Sequence, residues 1–243
     1  MVNTAFERAA DSTASAGNPV IAGILDYLKD RRLQPGDRLP SERDFSERLG
    51  VGRNAVREAI ATLVTLRVIE SRPNSGIYLR HLAKDSSFET LVMLAGMGET
   101  PSATEVTETM EVRSQLELLA VDLACRRHTQ EDLHRLDDIL ARTEQALDEG
   151  GNIARLDTEF HIALVEATHN SILVRVLNAF YEFTAGRREV MFDDAAQGKA
   201  SGRDHRRLLE HVRNRDVAKA QRLIVRHMDR ARSYWSTVLP GAS

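Results

Sequence analysis

Apolar residues recur every three or four positions along most of this chain, and the interruptions mark its organisation. Ile21, Ile24, Leu25 and Leu28 share one helical face. Asn18 and Pro19 precede them, a capping residue and a residue preorganised for the first helical turn. A helix is therefore predicted over Pro19–Arg32, closed by the turn Gln34-Pro35-Gly36-Asp37. Ser41 caps a second, short helix through Leu49, with Asp44 as its capping-box partner. After Gly50-Val51-Gly52 a third helix is predicted over Arg53–Arg67, with Val56, Ala59, Ile60, Leu63 and Val64 facing inward. Val68–Arg72 and Ile77–Arg80 then read as two short strands joined by the hairpin turn Pro73-Asn74-Ser75-Gly76.

Beyond the hairpin, Phe88–Met97 is apolar enough for one docked linker helix, ended by Gly96, Gly98 and Pro101. From Glu105 onward every segment has helical periodicity, with breaks predicted near Thr129, Gly150-Gly151, His169-Asn170, Gly198 and Asn214. The apolar stretches Leu116–Leu123 and Ile172–Phe183 read as core. The fold class is thus mainly α. A winged helix-turn-helix (helices plus a β-hairpin) precedes an all-α antiparallel bundle of six or seven helices. The expected divisions are a disordered arm over 1–18, the winged unit over 19–80, a linker over 81–104 and the bundle over 105–237.

Composition narrows the function classes. In 243 residues no apolar run approaches the roughly 18–20 positions that span a bilayer, so no membrane role is expected. The single cysteine, Cys125, excludes an intramolecular disulfide framework and fits the reducing cytoplasm. Net charge is −3, unevenly spread: eleven Lys/Arg against eight Asp/Glu leave Pro19–Arg80 at +3, and the rest at −6. A basic first part on an acidic second part suits a chain that grips phosphate at one end.

The helix order supplies a place for that grip. A helix-turn-helix lays its second helix in the major groove. Arg53, Asn54 and Arg57 stand off the buried face of the third helix. Arg bonds guanine edges and Asn adenine edges in pairs of hydrogen bonds. Arg43 is placed to hold a phosphate. The hairpin turn would be a wing, with Arg72, Asn74 and Gly76 at the DNA backbone or minor groove. Taken singly, these arginines could equally be a solvated helix face.

The run Pro35-Gly36-Asp37-Arg38-Leu39-Pro40-Ser41-Glu42-Arg43, followed by Leu49-Gly50-Val51-Gly52-Arg53-Asn54-Ala55-Val56-Arg57-Glu58-Ala59, resembles the GntR family of bacterial regulators. The resemblance implies that Arg43, Arg53 and Arg57 contact DNA, with Asn54 at a specificity position. The chain departs from the family pattern at Asn74, where Gly is common. Asn tolerates a left-handed backbone better than most residues, so the turn is expected to survive.

In the acidic part, Asp157 and His161 stand four apart, on one helical face. His205 and His227 lie in later helical segments. Three imidazoles and one carboxylate suit a borderline divalent metal such as Zn²⁺, Ni²⁺ or Mn²⁺. Eight histidines in the chain also make a chance pair at helical spacing ordinary. Glu111-Val112-Arg113 with Leu116-Glu117, Asp157 through Phe160-His161, Asn170, Asp204-His205 and Arg226-His227 make this part similar to the FCD ligand-binding domain of the FadR subfamily. That resemblance implies a metal, zinc first and nickel or manganese as alternatives, on Asp157, His161, His205 and His227. It also implies an effector-binding role for Arg113 as a clamp on an acid group, against a plain pair with Glu117 or Glu111. Arg187 and Arg188 are candidates for the pocket rim, but without motif support they are not assigned a role.

The expected function is a cytoplasmic, homodimeric transcription regulator, a repressor of a catabolic operon. It would bind a roughly palindromic double-stranded operator and respond to a small carboxylate, a hydroxy acid or sugar acid. Two other classes compete: a metal-dependent enzyme acting on a small acid, and an architectural DNA-binding protein. The first lacks a recognisable catalytic motif such as HExxH, and the second has no use for a helical domain with a polar centre.

Overall fold

Residues 19–85, 87–95 and 101–239 are described by a computed structural model of the chain. The arm assigned to 1–18 and the helix stop at Gly96 and Gly98 lie outside the described residues. The described chain forms two units, 19–95 and 101–239.

In the first unit, α1 (Pro19–Asp30) buries Val20, Ile21, Ile24, Leu25 and Leu28, the face its periodicity predicted. Ser41 caps α2 (Glu42–Leu49) in a full capping box: the Asp44 amide donates to Ser41 Oγ at 3.3 Å, and the Ser41 amide donates to the Asp44 carboxylate at 3.1 Å. Gly50, at φ 66°, ends it in a left-handed cap. After this turn, α3 (Arg53–Thr65) buries Val56, Ala59, Ile60 and Leu63 against α1 and α2. β1 (Ile69–Arg72) and β2 (Gly76–Leu79) pair antiparallel, Ile69 opposite Leu79 and Arg72 opposite Gly76.

Two features of this unit were not anticipated. The segment after the Gln34–Asp37 turn runs along β2: the Leu39 amide donates to the Ile77 carbonyl at 2.8 Å and the Leu79 amide to the Asp37 carbonyl at 2.9 Å. It widens the hairpin into a third, irregular edge. A short helix, α4 (Leu82–Asp85), follows the hairpin directly. The linker helix forms as α5 (Phe88–Ala95). It is tied to the same unit by Met93 and Leu94 on the core and by the Thr90 hydroxyl donating to the Leu66 carbonyl at 2.7 Å.

The second unit has seven helices among its described residues: α6 (Ala103–Arg127), α7 (Gln130–Asp148), α8 (Ala154–Glu166), α9 (Ser171–Phe183), α10 (Ala185–Phe192), α11 (Ala195–Arg213) and α12 (Val217–Val238). α6 packs along α12, and α8 lies at the centre, touching α6, α7, α9, α10 and α11. Phe160, Leu164, Leu208, Leu209 and Ile224 fill the core around it. Thr129 with Asp132 and Asn170 cap α7 and α9 at predicted breaks.

The break predicted near Gly198 is corrected, because α11 runs straight through it. A Cβ there would stand 3.1 Å from Leu147 Cδ2, and one at Gly202, a turn later, 3.1 Å from Leu147 Cδ1. The glycines let α11 close on α7 rather than end a helix. The actual breaks fall at Thr184 and at Asp193-Asp194, with Asp194 accepting from the Ala196 amide as a cap. The core assignment of 116–123 and 172–183 also needs correction. Leu173, Leu177 and Tyr181 are buried, but Leu119 and Val176 are exposed and Ile172 is 64% exposed.

Candidate functional site

α8 places Asp157 and His161 one turn apart, α11 supplies His205 and α12 His227. All four side chains are buried, and one donor atom from each lies within 4.8 Å of all the others. His161 Nε2 is 3.3 Å from His227 Nε2 and 3.2 Å from His205 Nε2, and Asp157 Oδ1 is 3.4 Å from His205 Nε2. A single N–H can serve only one of these nitrogen pairs. Nitrogens each about 2.0–2.1 Å from one ion would stand roughly 3–3.4 Å apart. The donor set therefore fits a divalent cation.

The outer ring atoms support the same orientation. His161 Nδ1 is 3.3 Å from Glu117 Oε2, and His227 Nδ1 is 3.5 Å from Asp204 Oδ2, with Arg230 paired to Asp204. Glu117 in this position accepts from His161 Nδ1–H and leaves Nε2 free to ligate, whereas His227 Nδ1 also meets Arg230 Nη2, a donor, at 3.1 Å. Burial pushes the pKa of His205 well below its ordinary value, and burial also lowers that of His227. Both are thus neutral rings, the form a metal needs. Burial opposes ionisation of Asp157, but the polar groups around it, His161 first and Arg188 among them, outweigh it and hold the carboxyl below the usual range.

Arg113 is buried rather than a surface pair. Its Nε is 3.4 Å from Glu117 Oε1, its Nη2 donates to the Tyr181 hydroxyl at 2.9 Å, and its guanidinium lies 4.5 Å from the Tyr181 ring centre. Burial works against its charge, yet Tyr181 and Glu117 more than compensate and raise its pKa. Arg188, also buried, reaches 3.4 Å from Asp157 Oδ2 and donates to Thr184 Oγ1 at 2.9 Å. Ser201 Oγ donates to Asp157 Oδ1 at 2.8 Å.

Sequence reasoning missed Tyr181, Ser201, Asp204 and Arg230 as partners here, and placed Arg188 only at a pocket rim, without motif support. Two had a usable signal. Ser201 is one helical turn before His205, and Asp204 is its neighbour in the chain. Tyr181 and Arg188 come from other helices with no fixed spacing to the cluster.

In the first unit, Arg53, Asn54 and Arg57 are exposed on the first turns of α3. Arg57 Nε lies 3.3 Å from Glu42 Oε2 on α2, and Arg43 Nε donates to Glu47 at 2.9 Å. Arg72 donates to Glu70 at 2.7 Å and covers the Tyr78 ring at 4.2 Å. Asn74 takes φ 58°, the left-handed conformation that Asn accommodates. Gly76, at φ 132°, has Arg38 Nε 2.8 Å from where a Cβ would stand. Arg38, exposed beside the turn, is a further cation on this face that the motif reading passed over.

Residues 17–79 match the family described as bacterial regulatory proteins, gntR family, and residues 108–230 match the FCD domain. Among similar proteins, the HTH-type transcriptional regulator LutR of Bacillus subtilis is 27% identical over 83% of this chain and 92% of its own. The Uxu operon transcriptional regulator of Escherichia coli K12 is 29% identical over 90% of this chain and 87% of its own. The HTH-type transcriptional repressor NanR of E. coli K12 is 26% identical over 87% and 81%. The Listeria monocytogenes protein Lar has the same fold, with TM-score 0.65 at 18% identity over 90% of this chain and 95% of its own. No helix among the described residues is long and apolar enough to cross a membrane.

Proposed function

The chain belongs to the GntR family of bacterial regulatory proteins and carries an FCD domain, and from that premise we propose a cytoplasmic repressor of a catabolic operon, released from DNA by a small carboxylate. It is a DNA-binding transcription regulator with an effector domain, and its relatives are regulators rather than enzymes. One relative is named for an operon and another as a repressor, which supports the finer reading.

The DNA grip rests on α3. Arg53 and Asn54 read base edges in the major groove, Arg57 and Arg43 hold phosphates, and Arg72, Asn74 and Gly76 form the wing. Two copies bind a roughly palindromic site. The apolar residues left exposed on α6 and α9, Val112, Leu119, Ile172 and Val176, supply a surface for that homodimer.

The carrying observation for the effector reading is the buried convergence of Asp157, His161, His205 and His227 beside Arg113. These four residues would hold a divalent ion, zinc first on the nitrogen-rich donor set, with nickel or manganese as alternatives. The ion supplies a positive centre for an oxygen of the effector. Arg113, oriented by Tyr181 and Glu117, clamps the carboxylate of a hydroxy acid or sugar acid. An effector that fits one packing of the bundle better than the other shifts the population toward it. α5, docked on the first unit, is the segment through which the shift reaches the DNA heads. FadR-subfamily membership belongs to this reading.

Titration of a DNA fragment from upstream of the regulator's own gene tests it. Metal-loaded protein binds the fragment and lactate or gluconate releases it. His205→Ala lowers metal content while DNA binding persists. Full metal occupancy in that variant sinks the ligand set, and indifference of the DNA complex to every small acid sinks the effector.

A further inference from the structure

We propose that Arg38 is a further DNA-contacting residue, seated on Gly76 so that its guanidinium meets a backbone phosphate beside the wing. This rests on the DNA grip described above and adds a residue to it. The seat follows from the third edge of the hairpin. Residues 36–39 run along β2, with the Gly36 amide donating to the Leu79 carbonyl and the Leu39 amide to the Ile77 carbonyl, both at 2.8 Å. On this edge Arg38 is the bridge partner of Tyr78. Residues paired across strands share a face of a sheet, and successive residues alternate between faces. Leu39, Ile77 and Leu79 are buried on the inner face. Arg38, Gly76 and Tyr78 therefore belong to the outer face, together with Glu70 and Arg72, the β1 partners of Tyr78 and Gly76.

Arg38 stands opposite Tyr78, yet its guanidinium lies over Gly76. From the place a Cβ would take on Gly76, Arg38 Nε is 2.8 Å away, Nη2 3.3 Å and Cζ 3.4 Å. The side chain thus leans two residues along β2, toward the turn at Asn74-Ser75. The missing side chain of Gly76 leaves that seat open. Arg72 already lies over the Tyr78 ring, 4.2 Å from its centre.

Charge distinguishes Arg38 from its neighbours. Arg72 pairs with Glu70, and Arg80 lies 3.7 Å from Asp85. Asp37, next to Arg38 in the chain, gives its carboxylate to the Gln34 amide at 2.7 Å instead. Arg38 meets no acceptor among the described residues and is exposed. A guanidinium has five N–H donors in a fixed fork that matches two phosphate oxygens. This one is held beside the turn rather than at its tip, on a chain segment separate from the hairpin. A cation alongside an inserted wing meets the sugar-phosphate backbone, whereas base edges are read from the tip and from α3.

Fluorescence anisotropy of the full chain on two labelled duplexes tests this. One is the fragment from upstream of the regulator's own gene, and the other a scrambled duplex of equal length and composition. A phosphate contact carries no sequence information, so Arg38→Ala weakens both by a similar factor, about threefold to tenfold, and lowers the salt slope by about 1. Arg38→Lys recovers most of the affinity and the slope, because a point charge still serves a phosphate. Unchanged affinity and slope in R38A overturn the proposal. Loss confined to the upstream fragment makes Arg38 a base reader and overturns the phosphate assignment. A loss in R38A that comes with a lower melting midpoint and that R38K does not recover marks Arg38 as structural and also overturns it. Arg53→Ala in the same series separates the two readings. A silent R38A beside a weakened R53A fails this inference alone, and a parent chain that binds neither duplex fails the DNA grip itself.

Discussion

Glu117 Oε2 lies 3.3 Å from His161 Nδ1, and both side chains are fully buried. Burial favours the neutral acid, but His161, Arg113 and Tyr181 prevail and bring the Glu117 pKa down to about 2. The carboxylate thus accepts from Nδ1 and turns Nε2 toward His205 and His227. Glu117→Gln removes that charge with little change of shape. Its affinity for zinc falls roughly 10–100-fold, the usual effect of losing an outer partner of a ligating histidine. Competition against a chromophoric chelator measures it. Tyr181→Phe removes the phenol that bonds both Glu117 and Arg113 but spares His161, so its affinity stays within about threefold. Zinc bound equally well by E117Q would reject the orienting role.

Of the buried quartet, Asp157 and His161 had a signal of their own, one helical turn of spacing, whereas His205 and His227 entered only through the resemblance to the FCD domain. The groups around it left no such signal, because Tyr181 and Arg188 reach the cluster only through the packing of α9 and α10 on α6 and α8. Helix ends were legible where a side chain caps them, as at Ser41, Thr129 and Asn170. Gly198 misled because glycine serves both helix ends and close helix contacts, and only the position of Leu147 distinguishes the two. The edge along β2 left no trace, since it is made by backbone groups of residues 36–39.

In the proposed function, Arg53 and Arg43 make two different kinds of DNA contact. Both are exposed, and the Arg43–Glu47 pair is a surface pair worth little to folding. Each alanine variant keeps its stability within about 0.5 kcal/mol. Arg53→Ala costs about 1–3 kcal/mol of operator affinity and relaxes preference at one base position. Arg43→Ala weakens all sequences alike and reduces the salt slope by about 1. Fluorescence anisotropy over a salt series reads both. Unchanged binding by R53A would mean that α3 is not the reading helix.

Gly76 is constrained by its backbone, at φ 132°, while Arg38 Nε, 2.8 Å from a would-be Cβ, ends an exposed side chain that can move aside. Gly76→Ala therefore strains the backbone and displaces Arg38. It costs about 1–3 kcal/mol, seen as a lower urea midpoint. Asn74→Gly relieves a milder left-handed conformation, φ 58°, and changes stability by less than about 1 kcal/mol. A G76A protein as stable as the parent would show that the hairpin adapts without strain.

Cys125 is fully buried, and its surroundings determine its chemistry. Burial, then Asp122 and Asp216, push its thiol up to about 11. The nucleophilic form is the thiolate, which is scarce at mildly alkaline pH and has no access to reagent in the fold. A raised folded-state pKa favours the thiol form in the native state, so folding suppresses thiolate until the pH approaches that value. Labelling with an aromatic disulfide at mildly alkaline pH should therefore be slow in buffer. It should accelerate across the urea transition together with the loss of helical ellipticity. Rapid stoichiometric labelling of the native chain would contradict the packing of α6 against α12 that encloses this residue.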